Sequence, residues 1–161
     1  MLLKVLFSGY TNPNSTQTGL AVLRINNDGT LDTTFGTGGE LIYTSINPSR
    51  VRANKIVVQP NNRFLIAGTL EGPGNLASAF VARYLADGAP ENTFNSTGVP
   101  ALYIQKYEFM TNQNAYKAGV HSALLLGTPT NGKLLIAGYF MDSNILGNRR
   151  GMLAQVNLGA N

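Results

Sequence analysis

Phe64-Leu65-Ile66-Ala67-Gly68-Thr69 is followed by Val81-Ala82-Arg83-Tyr84, whose arginine stands fifteen residues after the glycine, and then by the turn Asp87-Gly88. The same phrase occurs earlier as Phe7-Ser8-Gly9-Tyr10, Leu23-Arg24-Ile25 and Asp28-Gly29. Gly9 to Gly68, Arg24 to Arg83, Asp28 to Asp87 and Phe35 to Phe94 all differ by 59, so two units share one period without a gap. A third copy opens at Leu135-Ile136-Ala137-Gly138-Tyr139. A fixed period of this length marks a repeat architecture, in which each unit is a supersecondary block that buries its core against its neighbours.

Working outward, short β-rich runs bounded by Gly, Pro, Asn or Asp predict ten strands. They fall at about Leu3–Tyr10, Leu20–Ile25, Glu40–Thr44, Lys55–Gln59, Phe64–Thr69, Phe80–Leu85, Val99–Ile104, Ser122–Leu126, Lys133–Phe140 and Met152–Val156. Asn27-Asp28-Gly29, Ala86-Asp87-Gly88 and Thr130-Asn131-Gly132 supply the left-handed backbone positions of tight hairpins, and Pro60-Asn61-Asn62 serves the same purpose. The glycine after the Ile-Ala pair is explained by close backbone approach or a bulge. Arg24 and Arg83, in mid-strand, are expected to be buried or half-buried and paired with a neighbouring unit's carboxylate or carbonyls.

Composition agrees with an all-β chain. Only 12% of the 161 residues are charged, about half the usual share. That length supports one core, so a single repeat domain over residues 1–161 is expected. Twelve Lys and Arg against eight acids leave a net charge of +4, scattered except at 50–55 and Arg149-Arg150, which reads as a solvated surface. With no cysteine, there is no disulfide framework and no thiolate chemistry. The run from Met1 to Gly9 aligns with the strand at 63–68 and reads as structure rather than a secretion signal. No stretch reaches the length of apolar residues that a membrane span needs.

The third unit breaks the period. Gly68 to Gly138 is 70 residues, and all eleven extra ones fall between Asn95 and Lys133. The segment 105–117 is the expected insertion, leaving units at about 1–44, 45–104 and 118–161. Insertions in repeat proteins map to loops that often carry a binding face. A further loop is expected across Asp142-Ser143-Asn144 and Gly147-Asn148-Arg149-Arg150, and the arginine position becomes Gln155.

Val57-Val58-Gln59-Pro60-Asn61-Asn62-Arg63, Leu65-Ile66-Ala67-Gly68, Val81-Ala82-Arg83-Tyr84 and Asp28-Gly29-Thr30-Leu31-Asp32-Thr33-Thr34-Phe35-Gly36 resemble the delta-60 repeat family of bacterial proteins. The resemblance covers nearly the whole chain, and the third unit departs from it by its insertion and by losing the terminal Asp-Gly-x-x-Asp-x-x-Phe segment. It implies a β-propeller-like fold in a secreted or cell-surface protein and implies no activity. The expected architecture is therefore a β-propeller-like repeat of four-stranded antiparallel units. Ten strands make about two and a half blades per chain, whereas closed propellers have about four to eight. Open edges at both ends then call for a homodimer completing a ring of about five blades, for the remainder of a longer propeller, or for an open solenoid.

Candidates for chemistry are few. His121 is the only histidine and has no serine or cysteine motif beside it, so no catalytic residue is assigned. Asp28 with Asp32, and Asp87 with Glu91, repeat an acidic pair at spacing four, which reads as side chains capping their own turns rather than as a calcium loop. No metal or cofactor is expected. The best candidates for binding are Tyr103, Lys106, Tyr107, Phe109, Tyr116 and Lys117 of the insertion, with Arg149 and Arg150. Tyrosines interleaved with cations suit a glycan or a protein ligand. No nucleic-acid motif accompanies them, which argues against nucleic acid. Asn14-Ser15-Thr16 and Asn95-Ser96-Thr97 fit the N-glycosylation pattern, which is common by chance in an Asn-rich chain. The functional expectation is a non-enzymatic scaffold or binding module. The alternative is a carbohydrate-directed protein, with Glu108 and Asp142 as a carboxylate pair if it cleaves glycosides.

Overall fold

The structure, a computed structural model, describes residues 4–14, 17–43, 50–72, 77–91, 94, 104–107, 115–127, 132–142 and 149–158. These hold ten strands and no helix. Unit 1 is a three-stranded antiparallel sheet of β1 (Val5–Asn14), β2 (Gln17–Ile25) and β3 (Glu40–Tyr43), in that order. In unit 2, β4 (Arg50–Val58), β5 (Phe64–Glu71), β6 (Ala77–Tyr84) and β7 (Ile104–Tyr107) pair antiparallel in sequence order. Unit 3 contributes β8 (Ala115–Leu126), β9 (Lys133–Asp142) and β10 (Arg149–Asn157). The ten expected strands are thus divided three, four and three, and only unit 2 has four. Units 2 and 3 are also not separate sheets, because one parallel bridge, Ala77 to Lys117, joins them.

Register shows where the period breaks. Tyr43 of β3 lies opposite Leu20, and Tyr107 of β7 lies opposite Ala79, which stands 59 residues after Leu20. Tyr107 itself stands 64 residues after Tyr43, so five of the extra residues precede β7 and displace the strand expected at Val99–Ile104. The remainder are divided between the approach to β8 and the β8–β9 hairpin. Part of the expected insertion loop is therefore strand, at residues 104–107 and again from Ala115. The strands expected at Lys55 and Ser122 begin earlier, at Arg50 and Ala115.

Two bulges explain the recurring glycine. Pairing of β4 with β5 skips Asn54, between Ala53 opposite Gly68 and Lys55 opposite Ala67. Pairing of β8 with β9 skips His121, between Val120 opposite Gly138 and Ser122 opposite Ala137. An extra residue bends its strand toward the partner. In both places it brings a carbonyl onto the glycine: a Cβ on Gly68 would lie 1.9 Å from the Arg52 oxygen, and one on Gly138 1.9 Å from the Gly119 oxygen. Gly9 holds the same repeat position on β1, where no strand among the described residues pairs on that side, and a Cβ there meets nothing within 4 Å. The bulges also meet one another, since the Asn54 amide donates to the Val120 carbonyl at 2.6 Å.

Alternation along the strands sends odd and even residues of a unit toward different neighbours. Leu20 and Val22 of unit 1 pack with Phe64, Ile66, Phe80 and Tyr84 of unit 2 in one core. Leu65, Ala67, Ala79 and Val81, on the other face of unit 2, pack with Leu134, Ile136, Met152 and Val156 of unit 3 in the second. Unit 2 lies between the other two, which is why Phe64 to Leu70 is buried without a break. Phe64 joins the first core by stacking on Tyr84, with ring centroids 5.2 Å apart, and by tilted contact with Phe35 at 5.9 Å. Among the turns, Gly29 and Gly88 adopt φ of +86° and +93°, and Asn62 adopts +62°, as their turn assignments require. Of the Thr130-Asn131-Gly132 turn, residues 130 and 131 lie outside the described residues.

One repeat position therefore predicts two outcomes. Gly68→Ala or Gly138→Ala forces backbone to move and should cost about 1–3 kcal/mol, as overpacking does. Gly9→Ala should change stability by less than about 0.5 kcal/mol, and urea unfolding midpoints of the three variants measure the difference.

Candidate functional site

The charged residues that repeat with the period form one constellation, built twice. After β2 the chain turns back so that the Asp32 amide bonds to the Arg24 carbonyl at 2.8 Å, and after β6 the Glu91 amide bonds to the Arg83 carbonyl at 3.0 Å. Within each turn Gly29 donates to Asn26 and Gly88 to Leu85, both at 3.0 Å. This brings the carboxylate eight residues downstream under the arginine. Arg24 Nε lies 2.6 Å from Asp32 Oδ2; Arg83 meets Glu91 through Nε at 2.8 Å and Nη2 at 2.9 Å. A phenylalanine three residues further on then takes the guanidinium on its face, Phe35 at 4.7 Å and Phe94 at 4.5 Å.

Each clasp reaches the following unit. Arg24 Nη1 donates to the carbonyl of Ala86 in the unit 2 turn, and Arg83 Nη1 donates at 2.8 Å to the carbonyl of Leu158 in unit 3. Both acceptors stand three residues after the arginine position of their own unit, counting Gln155 as that position in unit 3. The expected partners were a neighbour's carboxylate or carbonyls; the neighbour supplies the carbonyl, and the carboxylate comes from the arginine's own turn. Lys4 adds a second cation to Asp32 at 2.5 Å, and Arg63 a second to Glu91 at 3.3 Å. Asp28, Asp32 and Asp87 cap their turns as expected, while the Glu91 carboxylate pairs with Arg83 and Arg63. Asp28 Oδ1 accepts from the Thr30 amide and hydroxyl, Asp32 Oδ1 from those of Thr34, and Asp87 Oδ1 from the Ala89 amide. No group of three or more potential metal ligands occurs among the described residues.

The binding candidates are distributed differently. Arg149 and Arg150 are exposed at the start of β10, and Arg149 lies over the Tyr139 ring at 5.0 Å. His121, the extra residue of the β8 bulge, is exposed and meets the edge of the same ring at 5.4 Å. Tyr139 is paired on one side with Gly119 and on the other with Gly151, and its ring lies over the first: a Cβ on Gly119 would sit 3.0 Å from Cε1. Lys117 is half-buried on β8. Lys106 and Tyr107 lie on β7, Tyr116 on β8 and Asp142 at the end of β9. Tyr103, Glu108 and Phe109 lie outside the described residues. The group actually assembled is the exposed Arg149 and His121 about the half-buried Tyr139, with a guanidinium over the ring and an imidazole tilted against it. Residue types gave no sign of Tyr139 and His121 in this group, because neither the bulge nor the strand register that brings them together is visible in them alone.

Removing one partner of a buried ion pair strands the other. Arg83→Met should cost about 3 kcal/mol, since Arg63 stays beside Glu91, and adding Glu91→Leu should recover much of that loss in urea unfolding. Asp32 has a pH signature. The Lys4 ammonium, then the Thr34 hydroxyl and Arg24, hold its carboxyl below the usual range, against the opposing effect of burial. A carboxyl lowered on folding stabilises the protein above its unfolded pKa of about 3.9, and that contribution is lost as pH falls below it. Stability should therefore drop between about pH 5 and pH 2, and Asp32→Asn should make that limb shallower in thermal unfolding.

A family model described as "Domain of unknown function (DUF5122) beta-propeller" matches residues 4–35, which span β1, β2 and the turn ending at Phe35. No curated protein matches the chain, and no solved structure does. An all-strand chain of repeated antiparallel units with open sheets, one of which matches a propeller repeat, has a β-propeller-like fold.

Proposed function

We propose that the chain is a non-enzymatic scaffold or binding module, built from delta-60-type repeats and belonging to a bacterial surface or secreted protein. One observation carries this reading: the ionic groups that recur with the period, Arg24 with Asp32 and Arg83 with Glu91, are committed to closing turns and fastening one unit to the next. Groups engaged in this way hold an assembly together and are poorly placed for proton transfer. No helix of the described residues is long and apolar enough to cross a membrane. A ligand would instead meet the exposed Arg149 and His121 beside the half-buried Tyr139, which take no part in the arginine clasps.

That cluster favours one second reading, a carbohydrate-directed module. An exposed guanidinium and imidazole held beside an aromatic ring suit the hydroxyl or carboxylate groups of a sugar. A glycan array, coupled with assays on chromogenic aryl glycosides, tests both readings. The scaffold reading expects no turnover of any glycoside. Glycan capture that weakens about tenfold in Tyr139→Ala would establish the carbohydrate reading. Sugar release that disappears in Glu108→Gln would replace the scaffold with an enzyme.

A further inference from the structure

The repeat leaves two faces uncovered, and they are the two halves of an interface that the chain already makes twice. At each junction inside the chain, the face bearing the Val22 position packs on the face bearing the Phe7 position of the next unit. Val22 and Ile66 meet in the first core, and Val81 and Ile136 in the second. All four are fully buried, at 0% exposure. Their counterparts at the ends of the series are not: Phe7 on unit 1 is 55% exposed and Leu153 on unit 3 is 75% exposed. Neighbours on the same faces follow. Ile42, opposite Ala21 on the Phe7 face, is exposed, as are Leu124 and Leu126, opposite Leu135 and Lys133 on the Leu153 face. Scattered apolar residues on a surface need no explanation, but Phe7 and Leu153 occupy positions that the same fold buries elsewhere.

We infer that two copies of this chain associate head to tail, the Leu153 face of each covering the Phe7 face of the other. A contact between two different faces of one chain makes a ring when its rotation closes. Two copies of the three units described give six, within the usual range of about four to eight for a closed propeller. Counted by units rather than by strands, the ring has six members and not five. The polar staple supplies the register. Arg24 and Arg83 each donate to the carbonyl three residues past the arginine position of the following unit, and continuing the series places the Gln155 amide at the Asn27 carbonyl of the second copy.

Light scattering on a sizing column, with the chain loaded at about 100 μM, above the micromolar limit expected of a standard interface, measures the mass directly. The expected result is twice 17.2 kDa. Phe7→Asp and Leu153→Asp alter residues that are exposed within the chain, so each should keep the native circular dichroism and yet weaken association about 100-fold or more. Mixing the two variants should restore a dimer of one of each, since the mixture retains one intact junction. A wild-type monomer at this concentration, a trimer or larger species, or a dimer that survives either single substitution would overturn the inference. Survival of Phe7→Asp alone would show Leu153 faces meeting one another, and survival of Leu153→Asp alone would show Phe7 faces doing so.

Discussion

A sheet of three or four strands has two faces and can form a core only where another sheet lies against it. In this chain that constraint is met by stacking units face on face. The junction between units, rather than the unit, is where apolar area leaves water. The first core draws on units 1 and 2 together and the second on units 2 and 3, so no unit has a core of its own. Unit 2, covered on both sides, carries the longest continuous buried run, from Phe64 to Leu70. Units 1 and 3, covered on one side, show alternating burial.

Polar residues serve the same junctions. A buried arginine is tolerable only with its charge balanced and its donors engaged. Both clasps do this locally, with a carboxylate from the same turn and a phenylalanine on the guanidinium face, and both leave Nη1 for a carbonyl of the next unit. The unit 2 turn adds a backbone link, Gly36 to the Asp87 carbonyl at 2.8 Å, and a close approach of Gly88 to the Phe35 ring. Unit 3 has Gln155 at the arginine position, and its amide turns to Asn157 at 3.2 Å. Apart from these clasps, Arg149 and His121 are exposed beside the half-buried Tyr139.

Much of the fold was legible in the residues because its signals are local. A tight turn needs a left-handed residue, and Asp-Gly shows where; a strand in a half-covered sheet alternates, and β2 and β10 do so. Asp28, Asp32 and Asp87 were readable as turn caps for the same reason, whereas the pairing of Glu91 with Arg83 was not. The bulges at Asn54 and His121 were not legible. An extra residue in a strand leaves no mark in residue type, yet it decides which carbonyl presses on Gly68 and Gly138. The early starts of β4 and β8 and the displaced β7 were hidden too, because polar segments such as Ile104–Tyr107 become strand only when an open edge accepts them.

By itself, the sequence determined the period, the all-β class, the turn sites and the arginine positions, since each rests on residue type and spacing along the chain. Only the tertiary structure decided that ten strands sort into three units, that each arginine takes its carboxylate from its own turn and a carbonyl from the next, and that His121 and Arg149 converge on Tyr139. Those outcomes depend on register and on which faces meet. Pairing register is set by contacts between residues far apart in the chain, and a shift of one residue exchanges the two faces of a strand.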